Sequence, residues 1–214
     1  MDEARQDEIF LTLFSEETTM IRATFEIKGV APLFYGKHVQ EKKTDKETAE
    51  QHENRTWPKK VHVGDDGGLF IPPFALKNGL EAAAKWLNKK IPGEGKATFT
   101  KRFRCGVHAW DNILLSNGVS DRATMDCIEP LQLFVPSDGV RGGGKRVNKI
   151  FPKLEEWGGT GTAVIFDDKI GESVFEDALT ALGQYIGFGS MRVENGGSNG
   201  RFKVVSLSFE EVTS

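Results

Sequence analysis

Two segments of this 214-residue chain repeat one apolar spacing, and that repetition limits the folds open to it. Leu76, Leu80, Ala83 and Leu87 fall at i, i+4, i+7 and i+11, and so do Phe175, Leu179, Leu182 and Ile186. Each set lines one face of an α-helix. Pro72 and Pro73 open the first, since proline is tolerated in a first turn, and the second runs over about 171–185. Period-two segments lie around them. Residues 20–30 alternate Ile21, Ala23, Phe25 and Ile27 against Arg22, Thr24, Glu26 and Lys28, which predicts a half-buried strand. Residues 98–110 and 123–136 are also expected as strands, and 162–167 as a short buried one. Residues 201–209 close the chain's regular pattern, with Phe202, Val204, Ser206 and Ser208 opposite Lys203, Val205, Leu207 and Phe209. The order predicts an α+β fold of the ferredoxin-like (RRM-like) kind: an antiparallel sheet with two helices on one face and large loop insertions. Its other face is left free, as in RNA-recognition modules.

Two stretches do not belong to that plan. Residues 1–19 form an acidic N-terminal extension with a single arginine, Arg5. Its apolar set Ile9, Phe10, Leu11, Leu13 and Phe14 suits a solvated extension or a docking element, and Met20 is an alternative start to the domain spanning 20–214. Residues 35–66 are polar, charged in both signs and nearly free of aliphatics. That is too long for an ordinary connection, so it reads as a flexible insertion or a functional protrusion.

Composition excludes several classes. At 38% hydrophobic and 28% charged the chain can bury a core, which excludes wholesale disorder. Two cysteines, Cys105 and Cys127, are too few for a disulfide scaffold or a four-cysteine zinc site and suit a cytoplasmic protein. No apolar run reaches ~18 residues, so no membrane span is expected. The N-terminus is acidic rather than Lys/Arg-led, so no signal peptide is expected.

Net charge is −3, but the basic residues cluster. Residues 85–104 include Lys101, Arg102 and Arg104; residues 138–153 include Arg141, Lys145, Arg146 and Lys149. The stretch 187–203 sets Arg192 and Arg201 among Gly187, Gly189, Gly196, Gly197 and Gly200. Glycine lets backbone N–H groups approach an anion, and guanidinium forks suit phosphate. The alternative is a flexible connection between a helix and a strand. The stretch is neither a nucleotide P-loop nor a Rossmann fingerprint. If the glycines admit a ligand, valine at Gly196 and Gly197 is expected to abolish binding and spare the melting temperature.

This C-terminal glycine loop and the segment I71-P-P-F-A-L-K-N-G-L-E-A-A-A together resemble the RAMP superfamily, the RNA-binding subunits of CRISPR effector complexes. In the family's first-helix pattern Leu76 and Lys77 match, with Asn78 standing between them and Gly79. The resemblance implies that residues 35–66 are a finger-like protrusion and 137–150 a thumb-like one. It also implies assembly with further copies or with other subunits of such a complex, on single-stranded RNA or DNA, RNA above DNA. Lys77, near a helix N-terminus, is then a phosphate contact. In the insertion, Arg55, Trp57, Lys59 and Lys60 interleave an aromatic with cations, which suits base stacking, or Trp57 anchors the protrusion to the body. Trp86 is expected to pack.

Catalytic signals are sparse. His38, His52, His62 and His108 show no metal-binding spacing, so neither metal nor cofactor is expected. In a strand, Cys105 and His108 point to opposite faces, and Asp167 and Asp168 are expected to cap the second helix. The reading is a non-enzymatic nucleic-acid-binding subunit of a multi-subunit assembly. Its alternatives are a ribonuclease of the same fold, for which Asp45, Asp65 and His62 are residues of suitable type, and a phage or mobile-element mimic of the backbone subunit.

Overall fold

A computed structural model describes residues 19–117, 121–137 and 144–213. The main sheet is built from β1 (Thr19–Gly29), β3 (Phe70–Ile71), β4 (Val107–His108), β5 (Ile113–Asn117), β6 (Asp121–Arg122), β9 (Gly158–Ile165) and β10 (Phe202–Thr213). Along its main path the order is β10-β1-β9-β5-β3, every pairing antiparallel. With helix α2 (Pro73–Leu87) following the first strand and helix α4 (Glu172–Ala181) preceding the last, this is the expected ferredoxin-like α+β plan.

The periodicities account for the core. On β1, Ala23, Phe25 and Ile27 are buried, while Arg22, Thr24, Glu26 and Lys28 are exposed. Leu76, Leu80 and Ala83 of α2 and Phe175, Leu179 and Leu182 of the second helical segment are buried beside them in one cluster. The two helical segments meet where Gly79 faces Leu182. Asn88, in the left-handed conformation, stops α2. A π-helical turn, Leu182–Ile186, extends α4 and carries Ile186 into the core.

Residues 98–110 are not a strand. They form helix α3 (Thr100–Gly106) followed by β4. Phe99 and Phe103, four apart and both buried, satisfy a helical face as well as an alternating one. In the helix Arg102 and Arg104 reach partners at Asp167 and Glu81.

The polar insertion is folded. In residues 35–66, helix α1 (Ala49–Thr56) starts with a capping box: Gln51 N–H donates to Thr48 Oγ1 at 3.2 Å and Thr48 N–H to Gln51 Oε1 at 2.9 Å. A 3₁₀ turn, Trp57–Lys60, follows. Strands β7 (Ile128–Pro136) and β8 (Arg146–Leu154) pair as a hairpin, and β2 (Leu33–Phe34) joins them in a second, three-stranded sheet. The two protrusions meet: Glu53 of α1 accepts the N–H of Ile150 on β8 at 2.6 Å.

Candidate nucleic-acid interface

The glycine-rich stretch is a folded platform rather than an open connection. Phe188, 2% exposed, stacks on Phe202 at 5.1 Å and anchors it to the core. Its backbone is held by Gly200 N–H to Pro32 O at 2.8 Å, Ser190 N–H to Phe34 O at 2.7 Å and Gly197 N–H to Arg192 O at 3.1 Å. The glycines serve this packing. Gly189 sits at φ +76° with its missing Cβ 2.3 Å from Phe34 O, and a Cβ on Gly197 would lie 1.8 Å from Met191 O. Gly187 and Gly196 also have positive φ. Valine at Gly196 and Gly197 is therefore expected to cost stability rather than spare it: at Gly197 the space is filled by the loop's own backbone, and Gly196 holds a positive φ.

Beside this platform lies a cavity of about 370 Å³. Its walls come from four places in the chain: Leu33–His38, His62, Ile71–Ala75 at the start of α2, and Gly189, Ser190 and Arg192 of the platform. Lys37 and His38 are exposed, as is Phe74, at 61%. Tyr35, by contrast, is 4% exposed, and its hydroxyl is the buried side-chain polar atom without a hydrogen-bond partner among the described residues. Burial pushes that phenol far above its ordinary pKa, so it stays protonated. Burial, and then the nearby Lys37 charge, lowers the His62 pKa and favours the neutral imidazole. Such a cleft joins apolar wall, aromatic edge and cations.

Four of the expected phosphate contacts, Arg55, Lys77, Arg102 and Arg104, are engaged within the fold. Arg55 pairs with Glu41 and Glu47, the latter at 2.8 Å, and Lys59 also pairs with Glu41. Trp57 packs partly buried against the core, in keeping with an anchor. Lys77 donates to the carbonyls of Phe103, at 2.6 Å, and Arg104, tying α2 to the end of α3; burial lowers its pKa. Arg102 places Nη1 2.9 Å from each oxygen of Asp167 and also reaches Glu94; Arg104 Nε is 2.7 Å from Glu81. Asp167 thus holds an arginine rather than capping α4, whose N-cap is Gly171. His108 Nε2 lies 3.1 Å from Cys105 O, the two residues being neighbours at a helix end and not on opposite strand faces.

Lys101, Lys145 and Arg146 are exposed on α3 and the β7–β8 hairpin, and Lys149 is half-buried on β8. Arg141 lies outside the described residues. Arg192 lines the cavity while pairing with Glu194 at 2.8 Å, and Arg201 faces a different groove, beside β10 and α4. The expected residues therefore do not converge on one patch. What sequence reading missed is the pairing of Lys37 and His38 with Phe74: Phe74 lies far along the chain from the other two and shares no motif with them.

The free sheet face presents Arg22, Thr24 and Glu26 of β1 beside Thr160 and Thr162 of β9. At one end His108, Trp110 and Phe166 cluster, with ring centroids 5.2–6.0 Å apart and Trp110 63% exposed. Trp86 does not pack: it is 62% exposed and stacks only on Tyr185.

Fold and site together define a ferredoxin-like α+β protein with an open, cation-edged cleft beside its C-terminal loop. No family model and no curated protein matches the sequence. Among solved structures, a chain in the cryo-EM structure of the Type III-B Cmr-beta bound to cognate target RNA is similar with a TM-score of 0.46 and 10% identity, over 97% of this chain and 66% of that one. The crystal structure of Cmr6 from Pyrococcus furiosus is similar with a TM-score of 0.49 and 12% identity, over 87% of this chain and 98% of that one. No helix among the described residues is long and apolar enough to cross a membrane.

Proposed function

We propose that the protein is a RAMP-like, single-stranded nucleic-acid-binding protein, taking RNA above DNA, that works in the cytoplasm as one subunit of a larger assembly of the CRISPR-effector kind. The observation that carries the reading is the cleft at the start of α2, where exposed Phe74 stands beside Lys37, His38 and Arg192. Aromatic faces next to cations along an open cleft suit single strands, whose bases stack while phosphates meet charge. The first turn of α2, a 15-residue helix, adds the positive end of its dipole. The exposed cations of the β7–β8 hairpin extend the electrostatic surface. The test is fluorescence anisotropy with labelled 20-nucleotide RNA and DNA. Binding that falls steeply between low and high salt supports the reading. Absence of binding at low salt defeats it.

A metal-independent ribonuclease is the second reading, favoured by one observation: neutral His62 shares its cavity with Lys37 and Tyr35. A neutral imidazole can accept a proton from a ribose hydroxyl while a lysine meets the phosphate. RNA cleavage in EDTA that disappears in His62→Ala would establish it; intact RNA after prolonged incubation excludes it.

A further inference from the structure

One end of the open sheet face is aromatic. Val107 and His108 of β4 pair with Ile165 and Val164 of β9, and Ile21 and Arg22 of β1 pair with the same two residues from the other side. Val107 and Ile165 are buried in the core, so the alternation puts His108, Val164 and Arg22 on the open face. Phe166 follows at the end of β9, and the rings of His108 and Trp110 gather on it at 5.2 and 5.8 Å. Met20 and Val212, opposite one another on β1 and β10 and both half-buried, continue the apolar surface. Trp110 is still 63% exposed. Adjoining apolar groups of this size mark a contact surface.

The chain supplies an occupant of its own. Thr19 starts β1 at this same end of the sheet, one residue from Met20. Upstream of it come four polar residues, 15–18 (SEET), and then the apolar run 9–14 (IFLTLF). Five residues reach about 17 Å when extended. Neighbouring strands lie about 4.8 Å apart, so the step from β1 across β9 to β4 is only about 10 Å. A tether this short also holds the run at an effective concentration in the millimolar range, where a contact too weak to join separate molecules is populated. A second copy has no such advantage.

We infer that residues 9–14 fold back over this end of the sheet and cover Trp110 and Phe166. The acidic residues on either side of the run, Asp7, Glu8, Glu16 and Glu17, then lie along the open face and close that end of it to other anions. The inference stands apart from the nucleic-acid reading, since it concerns only how the chain covers its own surface.

The test uses the full chain carrying Trp86→Phe, which removes the other exposed indole. Acrylamide quenching of tryptophan emission is compared with that of the same chain carrying Phe10→Ser and Phe14→Ser. The two serines are expected to raise the Stern–Volmer constant at least twofold, and the rise is expected to vanish when Trp110→Phe is added. The reciprocal measurement is chymotrypsin cleavage within residues 9–14, expected at least fivefold faster in Trp110→Ala than in wild type. Trp110→Ala removes an exposed side chain, so the core that holds the fold is untouched. Equal quenching with and without the serines, or equal cleavage rates, overturns the inference. A rise that persists in Trp110→Phe also overturns it, because the quenched indole is then a different one. Both measurements are repeated from 0.1 to 50 μM protein with the mass followed by light scattering. Protection that is constant while the mass stays monomeric supports the inference; protection that appears only as the mass doubles assigns the surface to a second copy and overturns it.

Discussion

Glu53 in helix α1 accepts the backbone N–H of Ile150 in strand β8, 97 residues away, and the same carboxylate pairs with Lys60, which donates to Ile150 O at 2.8 Å. One half-buried acid therefore fastens the polar insertion to the hairpin. Glu53→Ala leaves the Ile150 N–H unpaired and the Lys60 ammonium with the Ile150 carbonyl in place of a carboxylate. The expected cost is about 2 kcal/mol, read as a fall in Tm of roughly 4–8 °C by calorimetry. Deletion of residues 39–58 removes this clasp, so it lowers stability as well as any capacity to assemble.

Gly197→Val tests whether the glycine loop is a platform. A Cβ there meets Met191 O at 1.8 Å, which a flexible side chain could evade but a backbone carbonyl cannot. Tm is expected to drop by several degrees before any ligand is added. A variant with wild-type Tm would show that the loop is not held as described.

Arg102 and the hairpin cations should separate stability from affinity. Arg102→Ala strips Asp167 of its bidentate partner, so thermal stability falls and the salt dependence of RNA binding stays as in wild type. The double variant Lys145→Ala/Arg146→Ala leaves Tm in place and flattens the slope of log K against log salt by about 1.4, the value for two lost contacts to a single strand. The reverse pattern would place the phosphate path on α3.

Acidification should act through His62. Its folded pKa is depressed by burial and by Lys37, so below about 6.5 the unfolded chain binds a proton that the folded one resists. The unfolded state then binds more protons, and stability falls as pH drops from 7 towards the depressed value. The urea midpoint should shift down over that range in wild type and less in His62→Gln. The Asp66 carboxyl, lowered by the Gly68 N–H and then by Arg122, acts below about pH 4 and does not enter this window.

Strands β1 and β10, the end of β9 and the two principal helices were legible because their signals are local, whereas β3 and β5 were not read. Ala23, Phe25 and Ile27 alternate over a few residues, and Leu76, Leu80 and Ala83 repeat over two turns. Helix α3 was not legible, since Phe99 and Phe103 stand four apart, a spacing common to both periods. The basic runs were visible, but charge partners are chosen in space. Nothing in the sequence couples Arg102 to Asp167, or Arg55 to Glu41 and Glu47. The cavity was hidden for the same reason. Tyr35, His62, Phe74 and Arg192 come together only when the second sheet, the start of α2 and the platform close on one another.

Trp86 and Tyr185 lie with ring centroids 5.3 Å apart and planes 24° from parallel, and both are exposed. Tyr185 stands in the π turn that leads straight into Gly187, so a displacement of the platform is transmitted to its ring through two residues of backbone. The indole partner sits on a different helix, α2. The molecule thus carries an optical gauge of its own: without any dye, a change in tryptophan emission lost in Trp86→Phe signals that the glycine loop has moved.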